Sequence, residues 1–80
     1  MTIEQLKKAY SAQPFKPFDV HLADGRQLEV PHPEFLAMSP TGRTVIIVRP
    51  DGDYHVVDLL LVTDLVVHQG TGAGESNGTT

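Results

Sequence analysis

The chain contains no cysteine and no tryptophan in its 80 residues. Without cysteine there is no disulfide to hold a small fold together and no cysteine-ligated zinc centre. A basic cluster is missing too. Six lysines and arginines stand against ten carboxylates, for a formal charge of −4, and Lys7, Lys8, Lys16, Arg26, Arg43 and Arg49 are scattered along the chain. Phosphate backbones are held chiefly by gathered positive charge, so nucleic acid is disfavoured as a partner unless the fold assembles these residues into a patch. No apolar run exceeds four residues, which leaves nothing of the length a membrane-spanning helix needs. Glu4, Gln5, Lys7 and Lys8 stand where a secretion signal would carry its apolar stretch, so the expected location is cytoplasmic, without membrane contact.

Glycine, serine, threonine and asparagine crowd the last eleven residues. A stretch of that composition cannot bury a core, so residues 1–69 are read as one domain and 70–80 as a disordered tail. A domain that small usually leans on a disulfide, a metal or self-association, and the first is excluded here.

The pattern of what remains is mostly that of strands. Thr2 and Gln5 have the spacing of a capping box, and Ile3, Leu6, Ala9 and Tyr10 form a narrow apolar stripe, so a short helix begins there and ends before Pro14. Phe15 and Phe18, set among Pro14 and Pro17, are expected to plug the mouth of the core. From Phe18 the period becomes two: Phe18, Val20 and Leu22, a turn at Asp24-Gly25, then Leu28 and Val30, which reads as a hairpin. Pro31-His32-Pro33 forces a bend before a strand over 35–39. Turns at 40–42 and 50–52 bracket a strand over 44–49, another follows over 53–58, residues 59–63 make one tight turn, and 65–68 close the meander. The expected class is mainly β with one N-terminal helix, in a small five-stranded antiparallel barrel or half-barrel.

That order of elements, with Val20-x-Leu22-x-Asp24-Gly25-Arg26 as its opening hairpin, resembles Sm-like proteins. The resemblance implies an Sm-like barrel, and in Sm-like rings neighbouring subunits pair their fourth and fifth strands edge to edge. It does not carry over RNA reading. Where such proteins have an Asp-x-x-x-Asn segment and an Arg-Gly or Lys-x-x-His segment, this chain has Phe35-Leu36-Ala37-Met38-Ser39 and Val57-Asp58-Leu59-Leu60-Leu61. A more specific resemblance, spanning the whole domain, is to a group of short uncharacterised bacterial proteins. They share Pro14-Phe15-x-Pro17-Phe18, Val30-Pro31-His32-Pro33-Glu34-Phe35, Ser39-Pro40-x-Gly42-Arg43 and Asp58-Leu59-Leu60-Leu61-Val62. That likeness implies no activity.

Several motifs read better as structure than as chemistry. Gly74-Glu75-Ser76-Asn77-Gly78 has the nucleophile-elbow pattern but sits in the tail, where no strand-to-helix turn strains the serine; Asn77-Gly78-Thr79 matches a glycosylation acceptor without a secretion signal. His21, His32, His55 and Glu34 invite a metal, yet none has ligand spacing, and His21 and His55 read as solvent-facing strand positions. Asp51-Gly52-Asp53 is a turn that lacks the later ligands of a calcium loop. An active site would have to be assembled between subunits from His32, Glu34 and Asp58, and no spacing points there. No enzyme activity, cofactor or metal is therefore expected.

Residues 56–67 carry the strongest functional signal. Nine of these twelve are valine or leucine, and both alternating faces are apolar in places, which a sheet with one solvated face does not need. Either the helix covers the second face or another subunit does. The expectation is a non-catalytic module that forms a homo-oligomer or docks another protein through Val56, Leu59, Leu61, Leu65 and Val67. The proline-held corner of His32, Glu34 and Phe35 is a secondary contact. The alternative is an Sm-like nucleic-acid binder in which Arg26, Arg43, Arg49, Lys7 and Lys8 gather on one face.

Overall fold

In the computed structural model the described residues are 1–69; the expectations placed on the tail and its serine and asparagine motifs lie outside them. The chain enters its helix as the capping box requires. Thr2 is extended, its hydroxyl accepts from the Gln5 N–H at 3.3 Å, and the Gln5 side chain accepts from the Thr2 N–H at 3.0 Å. Helix α1 then runs Ile3–Tyr10, with Glu4 in its first turn and Lys7 and Lys8 in its last, the arrangement its dipole favours. Eight residues do not hold a helix alone, so packing must. Leu6 is buried in the core, and Ile3, Ala9 and Tyr10 pack half-buried around it.

Strand β1, Phe18–Leu22, buries Phe18, Val20 and Leu22 and turns Asp19 and His21 outward. It folds back on β2, Gln27–Val30, through Asp24-Gly25, where Gly25 has φ +93°, a conformation that disfavours any side chain. Asp24 fastens this turn: its carboxylate accepts from the Arg26 N–H at 3.1 Å and from Arg26 Nε at 2.8 Å. The backbone bond foremost, and the guanidinium after it, hold the Asp24 carboxyl below its ordinary pKa.

Pro31 and Pro33 lack the N–H that would continue a ladder, so the chain turns through a single 3₁₀ turn, Pro33–Phe35, into β3, Leu36–Met38. Strands β4, Thr44–Val48, and β5, Tyr54–Asp58, complete an antiparallel sheet with β3. A second 3₁₀ turn, Leu59–Leu61, leads to β6, Val62–Val67, which returns to pair with β1.

The class is mainly β with one N-terminal helix, but the architecture is not one five-stranded barrel. Six strands form two three-stranded antiparallel sheets, β2-β1-β6 and β3-β4-β5, and among the described residues no ladder joins them. The proline corner is the physical reason, since it divides what reads as one meander into two sheets. The sheets face one another across a single core. Phe18, Val20, Leu22, Leu28, Val30 and Val62 come from the first, Leu36, Val45, Ile47 and Val57 from the second, and Leu6 and Leu59 complete it. Strand β6 begins three residues earlier than its sequence suggests. Val62 is buried opposite Leu22, and a bulge beside His21 and Leu22 absorbs Thr63, so the polar pair Thr63-Asp64 interrupts the apolar pattern without ending the strand.

Candidate functional site

The open edge of β5 follows from the hydrogen bonds at the two ends of its ladder. Arg49 N–H donates to the Asp53 carbonyl at 2.7 Å, and Leu59 N–H to the Arg43 carbonyl at 2.8 Å. Antiparallel ladders alternate between pairs that exchange bonds and pairs that do not. In this register Ile47 with His55 and Val45 with Val57 are the bonded pairs, while Val48 with Tyr54, Ile46 with Val56 and Thr44 with Asp58 are not. The N–H and C=O groups of Tyr54, Val56 and Asp58 therefore point away from β4, toward the free edge.

The side chains of the same three residues lie on the outer face of the sheet, in line with Ile46 and Ala37. Tyr54 is 66% exposed and Val56 65%. Leu60, at 79%, and Leu61, at 48%, continue this surface past the strand. Ile46, Tyr54, Val56, Leu60, Leu61, Val66 and Val67 are the exposed large apolar residues among those described, and all but Ile46 lie within 54–67. Leu59 does not belong with them. It is 5% exposed, because the bond from its N–H to Arg43 keeps it in line with β4 and turns its side chain into the core. Leu65 is half-buried against the core.

Strand β6 offers a second edge. His68 N–H donates to the Pro17 carbonyl at 2.9 Å, which makes Asp19 with Val66 and His21 with Asp64 the bonded pairs. The backbone groups of Leu65 and Val67 then face outward, while their side chains share the core side with Val20 and Phe18. The other two sheet edges are blunted. β2 turns Gln27 and Glu29 outward and runs into Pro31; β3 is three residues long and lies between Pro33 and Pro40. Short length, charge and proline are the usual guards on an edge strand.

The remaining candidates are not brought together. His32 and Glu34 are exposed at the corner, with the His32 and Phe35 rings 6.0 Å apart and near-perpendicular; among the described residues neither polar side chain makes a hydrogen bond. Asp58 accepts from the Leu60 N–H at 3.0 Å and so caps the 3₁₀ turn. It pairs with Thr44 at one end of β4, whereas the corner leads into Leu36, which pairs with Ile47 toward the other. His55 is half-buried in the row of Ile47, on the core side rather than facing solvent. Arg43 and Arg49 flank β4 at its two ends, with about 20 Å of strand between them, and Arg26 is paired with Asp24 in the other sheet, so the arginines form no patch. Arg43, Asp58, Ile3 and Leu60 line an open cleft of about 280 Å³ beside the start of α1.

Two contacts went unread in the sequence. His68 Nε2 lies 3.1 Å from Asp19 and His21 Nδ1 lies 3.5 Å from Asp64, each tying β6 to β1 across the outer face. Only the β1–β6 register reveals them, and that register joins residues more than forty apart. Neither gathers a third ligand, and among the described residues no group of three or more potential metal-binding side chains exists. Among the described residues no helix is long and apolar enough to cross a membrane. Comparison with protein-family models, with curated proteins and with solved structures finds no match to this chain.

Proposed function

We propose that this chain is a non-catalytic interaction module that self-associates through the open edges of β5 and β6, with the His32, Glu34 and Phe35 corner as a secondary contact. The observation that carries this reading is the β5 edge. N–H and C=O groups at Tyr54, Val56 and Asp58 that have no partner among the described residues coincide with two strongly exposed apolar side chains, on an edge without proline or lysine. Such an edge is a template for another strand. A domain of this size with no disulfide also has reason to gain stability from association. The finer reading as an Sm-like half-barrel draws support from the strand order. Followed along the chain through the proline corner it runs β6-β1-β2 and then β3-β4-β5, with β6 and β5 each at the outer edge of its own sheet. The nucleic-acid alternative draws none from the dispersed arginines.

Light scattering on a size-exclusion column, over a concentration series at low and high salt, tests the proposal. The expected result is a mass that is a multiple of the 8.7 kDa chain and is little changed by salt, because the contact is backbone and apolar. A monomer up to about 1 mM, where an association worth roughly 4 kcal/mol would already show, removes self-association and leaves a different protein as the partner. RNA binding that falls steeply with salt would favour the nucleic-acid alternative instead.

A further inference from the structure

The chain turns twice on Asp-Gly, and the two turns are built alike. In the first, Gly25 N–H donates to the Leu22 carbonyl at 2.9 Å and Leu22 N–H to the Arg26 carbonyl at 2.9 Å. In the second, between β4 and β5, Gly52 N–H donates to the Arg49 carbonyl at 2.9 Å and Arg49 N–H to the Asp53 carbonyl at 2.7 Å. Each is a three-residue hairpin loop whose glycine takes the left-handed position, φ +93° at Gly25 and +99° at Gly52. In each the aspartate folds back to accept the N–H two residues on, Asp24 from Arg26 at 3.1 Å and Asp51 from Asp53 at 3.0 Å. Both aspartates and both glycines are exposed. The residue after the glycine is where the loops part. Arg26 sets its Nε against the Asp24 carboxylate at 2.8 Å, whereas the second loop has a further carboxylate, Asp53, in that place. Asp51 takes part in none of the ion pairs among the described residues.

An Asp-Gly bond can rearrange. The glycine N attacks the side-chain carboxyl carbon of the aspartate and closes a five-membered succinimide; the carboxyl hydroxyl and the amide proton leave together as water. A second water then opens the ring at the former main-chain carbonyl and gives isoaspartate, in which the main chain runs through the β-carbon. One water leaves and one enters, with no change of oxidation state. Glycine favours the attack because no side chain crowds its nitrogen. Only the neutral acid loses its hydroxyl as water, so a cation that keeps the carboxyl ionised opposes the step. We infer that Asp51 is a site of spontaneous isoaspartate formation and that Arg26 protects Asp24 from the same reaction. Asp24 is pinned by two bonds, one of them between charged groups, and its carboxyl lies below its ordinary pKa, through the backbone bond to Arg26 foremost. Asp51 is held by its backbone bond alone. The product adds a carbon to the main chain inside the loop that Arg49 and Asp53 close, next to Tyr54 at the head of β5. The inference does not depend on self-association.

Ageing the full chain for weeks in mildly acidic buffer at physiological temperature, followed by peptide mapping with electron-transfer fragmentation, tests it. Fragmentation assigns each isomer to a residue and so separates Asp51 from Asn77-Gly78, a sequence that forms the same product by losing ammonia. Isoaspartate is expected to accumulate at Asp51 about threefold or more faster than at Asp24, the scale that one exposed ion pair sets. Arg26→Asp should raise the Asp24 rate to that of Asp51, and Asp53→Arg should slow Asp51 toward that of Asp24. Both variants keep Ala23 and Pro50, the other difference between the loops, and circular dichroism checks that they fold. Equal rates at the two sites in the native chain, a faster rate at Asp24, or no isoaspartate at either would overturn the inference. Unequal rates that neither substitution alters would overturn the protection by Arg26.

Discussion

Val56→Lys is expected to reduce the proposed assembly to the 8.7 kDa monomer while leaving the domain folded. The two effects separate because of where Val56 sits. Its side chain is 65% exposed on an edge strand, so the fold loses little packing, and the lower strand propensity of lysine costs less than about 1 kcal/mol. In the proposed assembly the same position lies on the pairing edge, and lysine would carry a hydrated ammonium into that contact. Natural edge strands use lysine for this purpose. The dissociation constant should rise by about tenfold or more, equivalent to at least roughly 1.4 kcal/mol. Light scattering reads the mass and circular dichroism the fold; an assembly of unchanged mass and affinity would show that Val56 is not at the interface.

Phe18→Ala should have the opposite profile and fail as a fold. Phe18 is fully buried, lies in register with Val30 on one side and Val67 on the other, and packs against the Phe15 ring at 5.8 Å. Truncating a buried phenylalanine to alanine costs about 3–5 kcal/mol. A domain of this length, at roughly 0.05–0.15 kcal/mol per residue, has about 3–10 kcal/mol in total. In urea, with a slope near 1 kcal/mol per molar, the midpoint should fall by roughly 3 M. The comparison belongs in the Val56→Lys background, since the proposed association would add its own concentration-dependent stability. A fall of under about 1 M would mean that the two sheets do not depend on Phe18 to fill the space between them.

The parts of this structure that were legible in the sequence are those set by local chemistry. Thr2 and Gln5 announced the helix start because both halves of a capping box lie within four residues. Asp24-Gly25 announced the first turn because only a residue without a side chain takes φ +93° readily. Pro31 and Pro33 announced the bend. The two-sheet architecture was not legible, because whether a bend continues one sheet or separates two depends on pairings between distant strands.

The candidate surface was only half legible, for a related reason. Alternation identifies the two faces of a strand but cannot say which is inward when both are apolar, as with Val56 beside Val57. Leu59 thus looked like surface and proved to be core, while Leu60 beside it is the most exposed of the large apolar residues described. Thr63-Asp64 looked like a break and proved to be a bulge inside β6. His55 looked solvent-facing because it is polar, yet the register sets it in the row of Ile47. In each case the deciding fact is a hydrogen-bonded register, which the spacing of residues along one strand does not contain.

Residue-resolved amide hydrogen exchange across a concentration series tests the edge-pairing account most directly. The amides of His55 and Val57 donate to β4 and should be protected at every concentration. Those of Tyr54, Val56 and Asp58 point to the open edge, have no partner among the described residues, and in the proposed assembly gain one from a second copy. The account predicts that these three exchange fast in dilute solution and slow progressively as the assembly forms, and that Val56→Lys leaves the remaining two fast throughout. Unprotected exchange at Tyr54, Val56 and Asp58, under conditions where light scattering shows the assembled state, would contradict it.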